Sequence, residues 1–132
     1  MHHPLTEART QRARAIAAHG NLDAALASNA LPPRADLTLS EAIVLGLLRQ
    51  NVRIFLGVFG HGTTEVGEVL RIYAEAGIVR VFGVRHETEA AHAATALRWV
   101  TGEKCAVFTS IGPGALNALT GGGYGKFERL RA

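Results

Sequence analysis

The chain has one cysteine, Cys105, in 132 residues, so an internal disulfide is excluded. A lone thiol inside an apolar run reads as a core group in a reducing compartment, which points to the cytoplasm. Aromatic residues make up only 6%, and no basic run interleaves with them. The signature of a nucleic-acid surface is therefore missing, despite a net charge of +3. No apolar stretch approaches the roughly 20 residues that a membrane-spanning helix needs. The N-terminal arginines lack the apolar segment of a secretory signal, and Glu7 and the scarcity of serine count against an organelle-transit peptide. Charge is sparse at 19% against 48% hydrophobic residues, which suits one well-packed domain and not a disordered chain. Glycine alone is abundant, with 15 copies, so turns and close backbone approaches should matter.

Residues 1–36 form a separate compositional zone. The alanine- and arginine-rich run from Leu5 to His19 predicts a mostly exposed helix stopped by Gly20. Asn21 can cap a second short helix over Leu22–Ser28. Pro32 and Pro33 then mark Leu31–Asp36 as a linker. Thr38 and Glu41 have capping-box spacing, each able to satisfy an orphan amide at the other's residue, at the head of an apolar helix that includes Ile43, Leu45 and Leu48.

From there apolar runs of strand length alternate with helical patterns. Ile54–Phe59 is a strand stopped by Gly60-His61-Gly62, and Thr63 or Thr64 can cap the helix of Val66, Val69, Leu70 and Tyr73. Ile78–Val84 is a second strand, Glu87–Val100 a helix ended by Gly102, and Cys105–Thr109 a third strand. Pro113 suits the first turn of a last helix, where its missing amide costs little. This order predicts an α/β fold: a partial doubly wound parallel sheet with flanking helices, covered on both faces and preceded by a helical N-terminal extension. The loops after the three strands share the C-terminal edge of that sheet, where ligands bind in open α/β folds.

Those loops fit poorly with the common chemical motifs. Gly60-His-Gly62-Thr-Thr-Glu65 puts a glutamate where a dinucleotide fingerprint needs a small residue, and a phosphate-binding Gly-Lys-Ser/Thr ending is absent. Phe108 stands where a nucleophile elbow at Ser110 requires glycine. His86 and His92 are six residues apart and fall on different helix faces, which argues against zinc. What remains is backbone amides, small residues and one carboxylate. Glu87 lies where a strand ends and a helix begins, as a helix-start residue or as an acid/base group tuned by burial.

The segments Val58-Phe-Gly-His-Gly62, Arg85-His-Glu87 with Ala90-Ala-His-Ala-Ala94, and Thr109-Ser-Ile-Gly-Pro-Gly-Ala-Leu-Asn117 stand in this order after the helix from Thr38. In order and spacing, Thr38–Asn117 resembles the N-terminal, pyrimidine-binding domain of thiamine diphosphate-dependent enzymes of the acetolactate synthase and 2-oxoacid decarboxylase superfamily. The Phe-Gly-His-Gly form of the first loop resembles the trihydroxycyclohexanedione hydrolase branch, with acetolactate synthase-like carboligation close behind. The resemblance implies that Glu87 is the catalytic glutamate that hydrogen-bonds N1′ of the aminopyrimidine and exchanges a proton there, helped by a pKa raised in a low-dielectric setting. It also implies that Gly60, His61, Gly62, Gly112, Pro113, Gly114 and Asn117 lie at the cofactor. The alanines at 90, 91, 93 and 94 are good helix formers that would let a ring or a partner's backbone approach. For His86 and His92 the ordinary reading is a packed or surface histidine.

The resemblance further implies thiamine diphosphate and Mg2+ as cofactors, with the ion held by a Gly-Asp-Gly to Asn-Asn segment of another domain, so this chain itself contributes no metal ligand. A complementary diphosphate-binding domain or subunit, in a homo- or hetero-dimer, would then be the partner. The expected domains are an extension over 1–36, an incomplete pyrimidine-binding domain over 37–119, and an atypical tail over 120–132, whose adjacent glycines should interrupt the last helix. Two other readings stay open: a non-catalytic remnant that pairs with or regulates a full-length homologue, and an unrelated small α/β ligand-binding module. A sheet of three strands leaves an open edge and apolar surface, so marginal stability alone is expected.

Overall fold

The computed structural model of the chain describes residues 4–122. Glycines in the left-handed conformation end three helices: α1 (Pro4–His19) at Gly20, α4 (Thr64–Glu75) at Gly77 and α5 (Glu87–Thr101) at Gly102. Asn21 caps α2 (Leu22–Ala27) by accepting the Ala24 amide at 2.8 Å. Thr38 caps α3 (Leu39–Arg49) by accepting the Glu41 amide at 3.4 Å. The strands are β1 (Ile54–Gly57), β2 (Arg80–Gly83) and β3 (Cys105–Phe108), each slightly shorter than its apolar run. α6 begins at Pro113, as predicted, and runs to Gly122.

The three strands form a parallel sheet in the order β2-β1-β3, with Ile54 level with Arg80 on one side and with Cys105 on the other. Alternation along β1 sends Phe55 to one face and Ile54 and Leu56 to the other. Phe55 joins a large core with Val44, Leu48, Val69, Leu70 and Tyr73 from α3 and α4. Ile54 and Leu56 meet Ala90 of α5 in a smaller core. Helices therefore cover both faces, as a doubly wound sheet requires. Only β1 is buried throughout, however. β2 is largely exposed and β3 half-buried, because each is an edge strand, and the expected cover on both faces applies to β1 alone.

α1 exposes most of its surface, but Arg9, Ala13 and Ile16 form a buried stripe, and both apolar members belong to the large core. The arginines of this helix explain a departure at α3. Glu41 does not reach back to complete a capping box; its carboxylate is buried and accepts from Arg12 Nη1 at 2.6 Å and from the Tyr73 hydroxyl at 3.0 Å. A buried charge requires such partners, and ion pairing outcompetes the local cap. Burial, reinforced by the Glu41 charge, raises the pKa of the Tyr73 phenol.

The glycine pair at the end of α6 also departs from expectation. Gly121 and Gly122 continue the helix instead of interrupting it. A Cβ at Gly121 would lie 2.6 Å from that of Ala91 on α5, so close helix packing needs the missing side chain and offsets its low helix propensity. The rest of the expected tail, residues 123–132, lies outside the described residues.

Two glycines should respond in opposite ways to alanine. At Gly57 a Cβ would stand 2.2 Å from the carbonyl oxygen of Phe108, pushing β1 from β3, whereas at Gly46, within α3, it meets nothing. Gly57→Ala should cost about 3 kcal/mol or more, and Gly46→Ala should add about 0.5–1 kcal/mol. Urea denaturation of the two variants checks both signs.

Candidate functional site

Parallel strands bring the three following loops to one edge of the sheet. β1 leads to α4, which packs on the Phe55 face, and β3 leads to α6, which packs against α5 on the opposite face. Neighbouring strands whose connections leave on opposite faces create a topological switch point, and the crevice there is the preferred ligand position of open α/β sheets. Its walls are the turn from Gly60 to Thr63 and the turn from Ser110 to Gly112.

The two walls touch through glycine. A Cβ at Gly60 would lie 2.3 Å from Ser110 Oγ, and one at Gly62 2.4 Å from Ile111 Cγ2. Thr63 and Thr64 both donate their hydroxyls to the Gly60 carbonyl, at 3.2 and 3.3 Å. They thereby fix a 3-10 turn over His61–Thr63, and neither caps α4 in the expected way, because each acts as a donor. His61 is exposed at the top of this turn.

Glu87 is the first residue of α5 and is 6% exposed. One carboxylate oxygen, Oε1, abuts Gly114, where a Cβ would come within 2.4 Å of it. The other, Oε2, accepts from Asn117 Nδ2 at 3.4 Å. Thr88 donates its hydroxyl to the Asn117 carbonyl at 3.0 Å and so ties the start of α5 to α6. Glu87, Gly114 and Asn117 are thus brought together, while Pro113 starts the helix that carries the last two. Gly112, at φ 60°, turns the chain into that helix.

The electrostatics reverse one expectation. The Glu87 pKa is lowered, not raised: its own backbone amide at the helix start is the main cause, with Asn117, the Ser110 amide and His86 adding to it, and together they outweigh the opposing effect of burial. Glu87 is therefore a carboxylate at neutral pH. His86 takes a role with little sequence signal, capping α5 through Nδ1, which accepts the Thr88 amide at 3.3 Å. Histidine is not among the favoured caps, which is why spacing alone did not mark it. The Ser110 contacts to Gly60 and Glu87 were equally hidden, because they join loops distant in sequence. Ala90 and Ala91 are buried, against the sheet and against α6, whereas Ala93 and His92 are exposed. Burial raises the pKa of the half-buried Cys105 thiol, so it is not a poised nucleophile. Among the described residues no group of three or more His, Cys, Asp or Glu could hold a metal ion, and no helix is long and apolar enough to cross a membrane. A cavity of about 560 Å³ lies away from these loops, among α1, α2, residues 30–37 and α3.

Residues 37–124 match the family described as thiamine pyrophosphate enzyme, N-terminal TPP binding domain. The chain belongs to this family. It is 38% identical over 85 residues to the acetolactate synthase isozyme 3 large subunit of Escherichia coli K12, which covers 64% of this chain and 14% of that protein. It is 34% identical over 80 residues to the acetolactate synthase large subunit of Pyropia yezoensis, covering 61% of this chain and 14% of that protein. The large subunit from Parasynechococcus marenigrum is 36% identical over 93 residues, with 69% of this chain and 15% of that protein covered. The chain thus spans a small part of the length of these relatives.

A depressed carboxylate pKa has a defined consequence for pH. The contribution of Glu87 to folding stability is complete above the unfolded-state carboxylate value of about 4.3 and is lost as pH falls through its lower native value. Asn117→Ala should move the Glu87 titration upward, toward the ordinary range. Carboxyl carbon NMR titration of the wild type and the variant measures the displacement.

Proposed function

We propose that this chain supplies the pyrimidine-binding part of a thiamine diphosphate site, in an enzyme that makes or cleaves C–C bonds next to a carbonyl. The observation that carries the reading is the placement of Glu87: a nearly buried carboxylate at the switch point, bracketed by Gly114 and Asn117, within the family-matched segment. The relatives are acetolactate synthases, which supports an acetolactate synthase-like reaction ahead of the trihydroxycyclohexanedione hydrolase suggested by Phe59-Gly-His-Gly62.

The residues present fit one end of the cofactor. A single carboxylate beside glycine-lined loops suits a flat heteroaromatic ring, which Glu87 would hold at N1′, with Gly60, His61, Gly62, Gly112, Pro113, Gly114 and Asn117 as the residues that would line it. For the diphosphate and its Mg2+ we assign no residue of this chain. That ion and the diphosphate belong to a complementary domain or subunit, and the working unit is a homo- or hetero-dimer that includes it.

When bound, thiamine diphosphate supplies a nucleophilic carbon and an electron sink. The chain's own task is narrower. Glu87 would accept a hydrogen bond from the ring and hold the proton exchanged there. Asn117 fixes one carboxylate oxygen, and Gly114 lets the other sit against the backbone without a side chain between. A ring covering Glu87 would exclude water and move its pKa upward from the lowered value of the free chain, toward the range where a proton is readily shared.

Calorimetry with thiamine diphosphate and Mg2+, on the full chain alone and mixed with a diphosphate-binding chain from an acetolactate synthase, tests the reading. Binding and turnover are expected only in the mixture, with Glu87→Gln lowering turnover by about 10²-fold or more. Binding without turnover would favour the non-catalytic, regulatory reading, and no binding in either sample would sink the thiamine assignment.

A further inference from the structure

Arg9 lies on α1, outside the family-matched segment, yet its guanidinium makes a fork across three elements. Nη2 donates to Thr38 Oγ1, the cap of α3, at 2.8 Å, and to Glu65 Oε1, in the first turn of α4, at 2.7 Å. Nε lies 3.6 Å from Glu41 Oε2, too far to bond, and is buried without a hydrogen-bond partner among the described residues. The side chain is only 7% exposed, so its charge depends on these carboxylates. Glu65 is half-exposed and anchored a second time, accepting from Ser40 Oγ at 3.2 Å. Its chain neighbour Thr64 holds the carbonyls of Gly60 and His61, both at 3.3 Å. Gly60 in turn rests on Ser110.

We propose that Arg9 is a positioning residue for the first site loop: through Glu65 it fixes the opening turn of α4 and, with it, the Gly60-His61-Gly62 turn. The N-terminal extension is then a strut for the site. This inference rests on the placement of the site at that loop. It gives residues 4–36 a role that the family match, which begins at residue 37, does not cover.

Arg12 provides the internal comparison. It also holds α1 to the domain, through Glu41 at 2.6 Å, but its ion pair lies with Glu41 and not with Glu65. A residue that merely docks α1 should therefore behave like Arg12, and a residue that positions the loop should not.

The test uses the full chain without any ligand, read by amide NMR spectra and hydrogen exchange. Arg9→Met should shift the Gly60 and Gly62 amide signals and raise exchange across 60–66 by about tenfold, the scale of one lost charge-assisted hydrogen bond. Exchange in β1 should hold. Glu65→Gln, at a half-exposed position, should give the same signal shifts with a smaller rise and guards against an Arg9 variant that fails to fold. Arg12→Met should lower the melting temperature and leave the Gly60 and Gly62 signals in place. Equal loop effects from the Arg9 and Arg12 variants, a uniform rise in exchange, or unmoved glycine signals in both Arg9→Met and Glu65→Gln would each overturn the proposal. Because no cofactor is present, failure here is distinct from failure of the thiamine assignment.

Discussion

The structure depends on one strand being shared by two cores. Among the described strands only β1 is buried along its whole length, and alternation divides its side chains between the helices of the two faces. Its last residue, Gly57, lets the backbone of β3 approach closely, with the Val58 amide bonded to the Phe108 carbonyl at 3.1 Å. That approach adjoins the two loops of the switch point, which begin at Val58 and Thr109. The same contact layer is continued by Phe55 and Phe59, whose rings stack on Phe108 with centroids 5.9 and 6.3 Å away. Fold and site are therefore not independent: the packing that closes the sheet also aligns the two loops.

The chemistry of the site follows from a helix start. A carboxylate at the first residue of α5 meets amides that have no partner within the helix, and Asn117 adds a side-chain donor from α6. Burial pulls the other way and loses. Under the proposed reading, a ring covering Glu87 would add to burial and oppose the lowering seen in the free chain.

Legibility in the sequence tracked the range of the interaction. Gly20, Gly77, Gly102, Asn21 and Pro113 act within one turn of themselves, and each stands where local chemistry put it. The three strands and the common edge of their loops followed from apolar runs of the right length. Glu87 was legible for the same reason, as a charge at a junction. The sign of its pKa was not, because it depends on how its own helix-start amide, helped by Asn117 30 residues away, balances burial. Glu41 misled for a related reason: its spacing from Thr38 suggests a local cap, while Arg12 and Tyr73, 29 and 32 residues distant, provide the stronger partners. Gly121 defied its propensity because Ala91 presses against it from another helix.

The geometry of Arg9 also bears on the order in which the chain can assemble. α1 leaves the ribosome before the elements it grips: the carboxylate of Glu65 follows 56 residues later, and its other partners come between. Until α4 has been made, the arginine-rich helix has few apolar side chains to hide and remains hydrated. It can therefore wait without inviting aggregation, and close over α3 and α4 as a late step of folding.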